Sequence, residues 1–172
     1  MTANTLFYII IAIITINFIK DKVIDALNAK HFNDALPDDL KDVYDDVEYK
    51  KSQNYKATKY KFGIITSTFS VILTLGFLLL DGFEYVDTIA RSLSENPIII
   101  ALIFFGIIMI GSDILTTPFS FYSTFVIEEK FGFNKTTKKL FVIDKIKGWL
   151  MMAIVGSSIL ALIIWFYTIT GK

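Results

Sequence analysis

From Phe62 to Leu80 the chain carries no charged residue, and a run of that length constrains everything else. A helix needs about 20 apolar residues to cross the hydrocarbon core of a bilayer. No water reaches the backbone there, so such a segment has to bond to itself as a helix. Its hydroxyl side chains, among them Thr66, Ser67, Ser70 and Thr74, can bond back to their own helix. Three further runs share the same pattern. The first covers residues 4–19 and is lengthened by an amphipathic turn from Val23 to Leu27. The third starts at Pro97, a favourable first helical position, and reaches about residue 117. The fourth covers 148–170, with Trp149 and Trp165 near its ends as interfacial anchors. Hydrophobic residues make up 53% of the chain, and mean hydropathy is +0.55. That excess sits in blocks, the mark of a polytopic membrane protein. The expectation is an all-α fold, a single membrane domain over residues 1–172. It is a polytopic helix bundle of four transmembrane helices with a helical cytoplasmic loop.

Lysine placement orients the spans. The segment after the first run carries Lys20, Lys22, Lys30, Lys41, Lys50, Lys51, Lys56, Lys59 and Lys61; the one before the fourth carries Lys130, Lys135, Lys138, Lys139, Lys145 and Lys147. Between the second and third runs there is only Arg91, beside Asp81, Glu84, Asp87 and Glu95. The positive-inside rule puts the two Lys-rich segments in the cytoplasm and both termini outside. The expected setting is an integral membrane location in a bacterial inner membrane. The first run has no Lys or Arg before it and no small-x-small site after it, so it is not expected to be removed as a signal peptide. The first cytoplasmic segment reads as a helix beginning at Pro37, with Asp38 and Asp39 at its positive end and Leu40, Val43, Tyr44 and Val47 on one face. Its lysine-rich second half reads as a solvated helix leaning on the membrane. Net charge is zero, with 17 basic and 17 acidic side chains, so no global field points to nucleic acid. The partner that composition does identify is the lipid bilayer.

The connection between the third and fourth runs is too aromatic for a simple tether, with Phe119, Phe121, Tyr122, Phe125, Phe131, Phe133 and Phe141. Pro118 lacks an N–H and is expected to kink or end the third helix. Glu128 and Glu129 then arrive at what would be the unfavourable end of a helix dipole and require a cation, with Lys130 or Lys135 as the local candidates. Phe131-Gly132-Phe133-Asn134 reads as a tight turn between two aromatic plugs, and Thr136 or Thr137 can cap the next helix. Either another body packs on this segment, or it is a re-entrant turn that seals the bundle. Asp113 lies about 24 Å along its helix from Pro97 at 1.5 Å per residue, near the cytoplasmic interface. Snorkelling or pairing with a lysine is cheap there, which favours a structural role over a functional one.

Pro118, Tyr122, Phe125-Val126-Ile127-Glu128-Glu129-Lys130, Gly132-Phe133-Asn134, Thr137, Phe141, Asp144 and Lys147 together resemble the N-terminal membrane domain of the type I CAAX prenyl protease family. These are integral-membrane zinc endopeptidases that trim prenylated proteins. Weaker agreement lies upstream at Leu36-Pro37, Lys51-Ser52, Tyr55 and Lys59. The resemblance implies helices that wall an intramembrane chamber, a zinc site of the His-Glu-x-x-His type further along, and substrates that are C-terminal tails of prenylated proteins or peptides. It also implies that the motif residues, Glu128, Glu129, Lys130, Phe131, Gly132, Phe133 and Asn134 foremost, form a docking surface for a catalytic zinc half, in cis or in trans.

The catalytic chemistry is missing from the residues at hand. The chain has one histidine, His31, and no cysteine. A catalytic zinc takes about three protein ligands, normally two of them His. The sequence also has no Gly-x-Ser-x-Gly elbow and no Gly-rich phosphate loop. No cofactor is therefore expected in this chain, zinc being implied only for the full-length enzyme, and the domain is expected to be inactive alone. With the chain stopping at Thr170-Gly171-Lys172, it reads as an excised N-terminal domain or as one half of a two-chain enzyme. A stand-alone four-helix scaffold or small transporter is the alternative. A small multidrug-type transporter needs an acid mid-span, and residues 4–19 and 62–80 have none.

Overall fold

A computed structural model describes residues 2–37, 42 and 45–171. All regular structure among them is helical: α1 Ala3–Ala29, α2 Asp46–Leu79, α3 Gly82–Leu93, α4 Pro97–Phe131 and α5 Lys138–Thr170. Helices α2, α4 and α5 are long and apolar enough to cross a membrane. Helix α1 takes in the whole 4–19 run and continues without a break through Val23 to Leu27, as one rod of 27 residues. The helix expected at Pro37 falls on Asp38, Asp39, Leu40, Val43 and Tyr44, which lie outside the described residues, whereas Val47 belongs to α2.

The ends of these rods obey their local chemistry. Thr2 caps α1 by accepting from the Thr5 N–H at 3.3 Å. Asp46 and Glu48 occupy the first turn of α2, where the dipole favours acids. Within that helix Ser67 donates to the Gly63 carbonyl at 2.6 Å, hiding its hydroxyl from lipid. Asn96 caps α4 through the Ile98 N–H at 2.9 Å, with Pro97 in the first turn. Thr137, not Thr136, caps α5, accepting from the Leu140 N–H at 3.2 Å.

Pro118 does not end the third helix. α4 runs through it, then widens into a π turn over Ser123–Glu128 before closing at Phe131. A proline inside a membrane helix is tolerated where neighbouring turns readjust. The longer turn also shifts the register of the residues after it, because each residue of an α-helix is worth about 100°. The supposed loop is therefore largely helix, and only residues 132–137 are not. A second π turn, Met152–Gly156, interrupts α5.

The chain divides into two compact units. One comprises Met1–Phe77 with Phe125–Phe133. Its buried apolar side chains among the described residues are Leu36, Ile127 and Phe131, and Phe32 meets Tyr60 edge-on at 5.8 Å. The other comprises Leu78–Thr124 with Asn134–Lys172. There α3, expected only as an acidic connector, is an amphipathic helix that buries Val86 and Ala90 and carries an Asp87–Arg91 pair at 2.6 Å. Asp81 leads into it with φ 56°, a left-handed turn that Asp tolerates better than most residues. Most other large apolar side chains are exposed along their helices, which suits rods whose solvent on those faces is lipid.

Candidate functional site

Two carboxylates on α4 organise the chemistry of this chain, one in each unit. In the first unit Lys51, Tyr55 and Lys59 recur at four-residue spacing and so share a face of α2. Glu128 meets that face. One of its oxygens accepts the Tyr55 hydroxyl at 2.7 Å and the Lys59 ammonium at 3.0 Å. The cation sought for this acid is therefore Lys59, 69 residues away, rather than Lys130 or Lys135. Tyr55 also takes two aromatic plugs edge-on, Phe131 at 5.3 Å and Phe133 at 5.0 Å. Lys51 sits over the Phe133 ring at 5.7 Å, and Lys130 over Phe131 at 5.5 Å.

The turn that presents these plugs is closed by its own backbone. The Gly132 N–H donates to the Glu129 carbonyl at 3.1 Å and the Phe133 N–H to the Glu128 carbonyl at 2.9 Å. This is the paired bonding of a Schellman cap, with Gly132 supplying the left-handed residue at φ 79°. A Cβ at 132 would find room, 3.9 Å from the Lys51 nitrogen, so the constraint is the backbone angle and not space. Phe131 is only 7% exposed whereas Phe133 is 53% exposed.

Tyr55 and Glu128 lie beyond the apolar runs, and their titration reflects the lock. The Tyr55 hydroxyl bond and, after the opposing effect of partial burial, the Lys59 ammonium hold Glu128 below the usual carboxylate range. Donating to that carboxylate, with burial adding to it, holds Tyr55 above the usual phenol range.

In the second unit Asp113 receives the Lys145 ammonium at 2.5 Å and the Trp149 indole N–H at 2.9 Å. The structural reading of Asp113 as a lysine partner matches this geometry. Trp149, read as an interfacial anchor, also serves as its donor. This pair opens on a cleft of about 810 Å³, which Asp144 and Phe141 also line. Phe141 stacks edge-on with Phe121 at 5.7 Å. Asn134 folds back on its own turn, its side chain accepting from the Thr136 N–H at 2.7 Å and donating to the Thr136 carbonyl at 3.2 Å.

The motif residues thus fall into two groups. Phe125, Glu128, Glu129, Lys130, Phe131, Gly132 and Phe133 belong to the first unit; Pro118, Tyr122, Asn134, Thr137, Phe141, Asp144 and Lys147 belong to the second. Ile127 and Phe131 are covered within the first unit, whereas Glu129 and Lys130 are exposed. Lys145 was legible only as one loop lysine among several.

The residues present do not fit a catalytic zinc. Among the described residues no three His, Cys, Asp or Glu side chains are grouped so as to hold a metal ion. His31, the sole histidine, is exposed and engages Asp34 at 2.7 Å.

Comparison with known proteins gives a consistent result. Residues 25–172 match the family described as CAAX prenyl protease N-terminal, five membrane helices. A CAAX prenyl protease 1 homolog of Dictyostelium discoideum is 34% identical over 161 residues, covering 91% of this chain and 36% of the relative. A homolog of Oryza sativa is 38% identical over 137 residues, covering 76% and 32%. The crystal structure of S. mikatae Ste24p superposes with a TM-score of 0.89 at 31% identity, covering 96% of this chain and 40% of that one. The chain spans about a third of the length of these curated relatives.

Proposed function

Because the chain belongs to the CAAX prenyl protease N-terminal family, we propose that it is the chamber-forming membrane part of a zinc endopeptidase. The observation that carries this reading is the superposition on Ste24p over 96% of the chain. The substrates are the C-terminal tails of prenylated proteins or peptides. The zinc chemistry belongs to a catalytic half, supplied in cis or in trans. On its own the chain is non-catalytic, because its donor set offers one histidine and no cysteine. The motif segment from Pro118 to Lys147 is the docking surface for that half. Its exposed members, Glu129, Phe133 and Lys147 foremost, make the contacts, while Glu128 and Phe131 hold the segment in place.

Helix α1 completes a set of four spans with α2, α4 and α5; the family description counts five membrane helices, and α3, at 12 residues, is too short to cross. The Lys-rich segments face the cytoplasm. The expected bacterial inner membrane has no support in the relatives named above, which come from eukaryotes. Single cysteines at Ser52 and Ser92 test the orientation, since the chain has none of its own. Labelling of the Ser52 site alone by an impermeant reagent on intact cells reverses it.

The functional experiment is reconstitution. The purified chain is expected to bind no stoichiometric zinc and to cleave no prenylated peptide, and a catalytic half from a full-length relative is expected to restore cleavage. Glu129→Ala impairs that rescue much more than it impairs folding of the chain. If Glu129→Ala instead unfolds the chain while assembly is unaffected, the segment is an internal seal.

A further inference from the structure

We propose that the second unit holds an amphiphile site between α4 and α5, selective for a phospholipid with a primary ammonium head. The inference rests on α4 and α5 being membrane spans, and it takes Phe141 and Asp144, which line the cleft, as lipid contacts rather than as part of the surface that docks the catalytic half. Two cavities in this unit adjoin. The cleft of about 810 Å³ at Asp113 and an apolar groove of about 490 Å³ share Met109, Trp149 and Met152 as common wall. The first is lined by Ser112, Thr116, Asp144 and Lys145; the second by Leu102, Phe105, Leu160 and Ile163.

This division matches the layers of a membrane. The polar compartment lies where Asp113, near the end of the third apolar run, meets Lys145, just before the fourth, at headgroup depth. The groove then tracks α4 back from Met109 to Leu102, roughly 10 Å at 1.5 Å per residue, into the hydrocarbon. Its shape suits a polar head with an acyl chain beneath it. Gly106 and Gly156 line the groove, and a Cβ at Gly106 would meet nothing within 4 Å, so there is space at that point.

Charge selects the head. Asp113 and Lys145 neutralise each other, which leaves Asp144 as the uncompensated charge of the cleft. The exposed Asp144 side chain has no hydrogen bond or ion pair to another described residue. A net anionic head is therefore disfavoured, and an ammonium finds a carboxylate acceptor with the Phe141 and Trp149 rings beside it. Lys145 carries three donors, of which Asp113 takes one, leaving two for the lipid phosphate. A primary ammonium can donate to Asp144, and a quaternary one cannot.

The test uses the protein with Trp165→Phe, so that Trp149 is the only tryptophan, in micelles doped with phospholipids carrying brominated chains. Brominated phosphatidylethanolamine is expected to quench Trp149 saturably, at roughly tenfold lower concentration than brominated phosphatidylglycerol. Asp144→Asn removes the preference while leaving quenching, because it alters only the head compartment. Gly106→Leu fills the groove and abolishes saturable quenching by both lipids. If Gly106→Leu does not fold, competition by unbrominated phosphatidylethanolamine replaces it and must restore the fluorescence. Quenching that never saturates shows micelle partition rather than a site. Equal potency of the two lipids, or an unchanged preference in Asp144→Asn, overturns the head assignment. Restoration by a prenylated peptide but not by phosphatidylethanolamine gives the groove to that ligand and ends the proposal.

Discussion

Glu128 and Asp113 are built to one plan. Each acid comes from α4, and each accepts from an ammonium and from an aromatic donor spaced four residues apart on another helix: Tyr55 and Lys59 for Glu128, Lys145 and Trp149 for Asp113. Their surroundings differ. Behind Glu128 the chain turns at once through Gly132 and packs Phe131 and Phe133 on the Tyr55 ring, so the pair is part of a closed plug. Beside Asp113 the helices leave a cleft. The same side-chain chemistry therefore locks a turn in one unit and lines a cavity in the other. The deciding factor is whether apolar groups fill the space next to the charges.

The largest expected effect tests whether packing makes that distinction. Phe131→Ala removes the buried plug against Tyr55, and truncating a buried Phe costs about 3–5 kcal/mol. Phe141→Ala, whose ring stands at the edge of the cleft, is expected to cost clearly less. Thermal unfolding of both variants in one detergent provides the comparison. Equal losses would mean that the two surroundings do not differ in the way described.

The acids themselves come next. Glu128→Ala strands the Tyr55 hydroxyl and Lys59, whose side chain is 40% exposed and can partly rehydrate, so the cost is about 1–2 kcal/mol. Asp113→Ala strands Lys145, whose side chain is only 25% exposed, but both stranded donors face the cleft and can be hydrated from it, so the cost is expected at or below about 1 kcal/mol. A reversal of that order, read from the same unfolding curves, would make the Asp113 pair the structural one.

How much of this was legible in the sequence depends on distance along the chain. The apolar runs, a threonine cap at 136 or 137 and the Gly132 turn are local, and each is dictated by residue type within a few positions. The partner of Glu128 is 69 residues away on a helix that otherwise reads as a solvated basic face. The family resemblance marks Lys51, Tyr55 and Lys59, and their four-residue spacing puts them on a shared surface, but neither names Glu128 as what meets it. The proline rule at 118 leaves kinking or ending open: the missing N–H and the crowding of the carbonyl four residues back disturb a helix without having to stop it, and α4 runs on to Phe131. Helix α3 was missed although Val86 and Ala90 sit four apart, because the acids around them read as a connector.

Protonation separates charge from shape in the first unit. Glu128 has a folded pKa below its unfolded one, so its contribution is fully present above the usual carboxylate range and is lost as pH falls through the lowered value. Glu128→Gln keeps an acceptor for Tyr55 without titrating. The stability gap between wild type and Glu128→Gln is therefore expected to be widest near neutral pH and to narrow in acid, by less than about 1 kcal/mol. A gap that stays constant would assign the lock to hydrogen-bond geometry alone.

The smallest effect concerns the rim of the plug. Lys51 lies over Phe133 at 5.7 Å, and the ring is more than half exposed, so the attraction should be at the low end for such contacts, about 0.5 kcal/mol. Lys51→Gln is expected to lower the unfolding temperature slightly and Lys51→Arg to leave it unchanged, because Arg keeps a cation over the ring. Lys56→Gln serves as the control: it removes the same charge from the same helix, five residues along and off the face that meets Glu128. If Lys56→Gln shifts stability as much as Lys51→Gln, the effect is general to the charge of α2. If Lys51→Gln alone costs far more than about 0.5 kcal/mol, the lysine stem is covering the Gly132 turn, and the plug extends one residue further than the buried Phe131 marks.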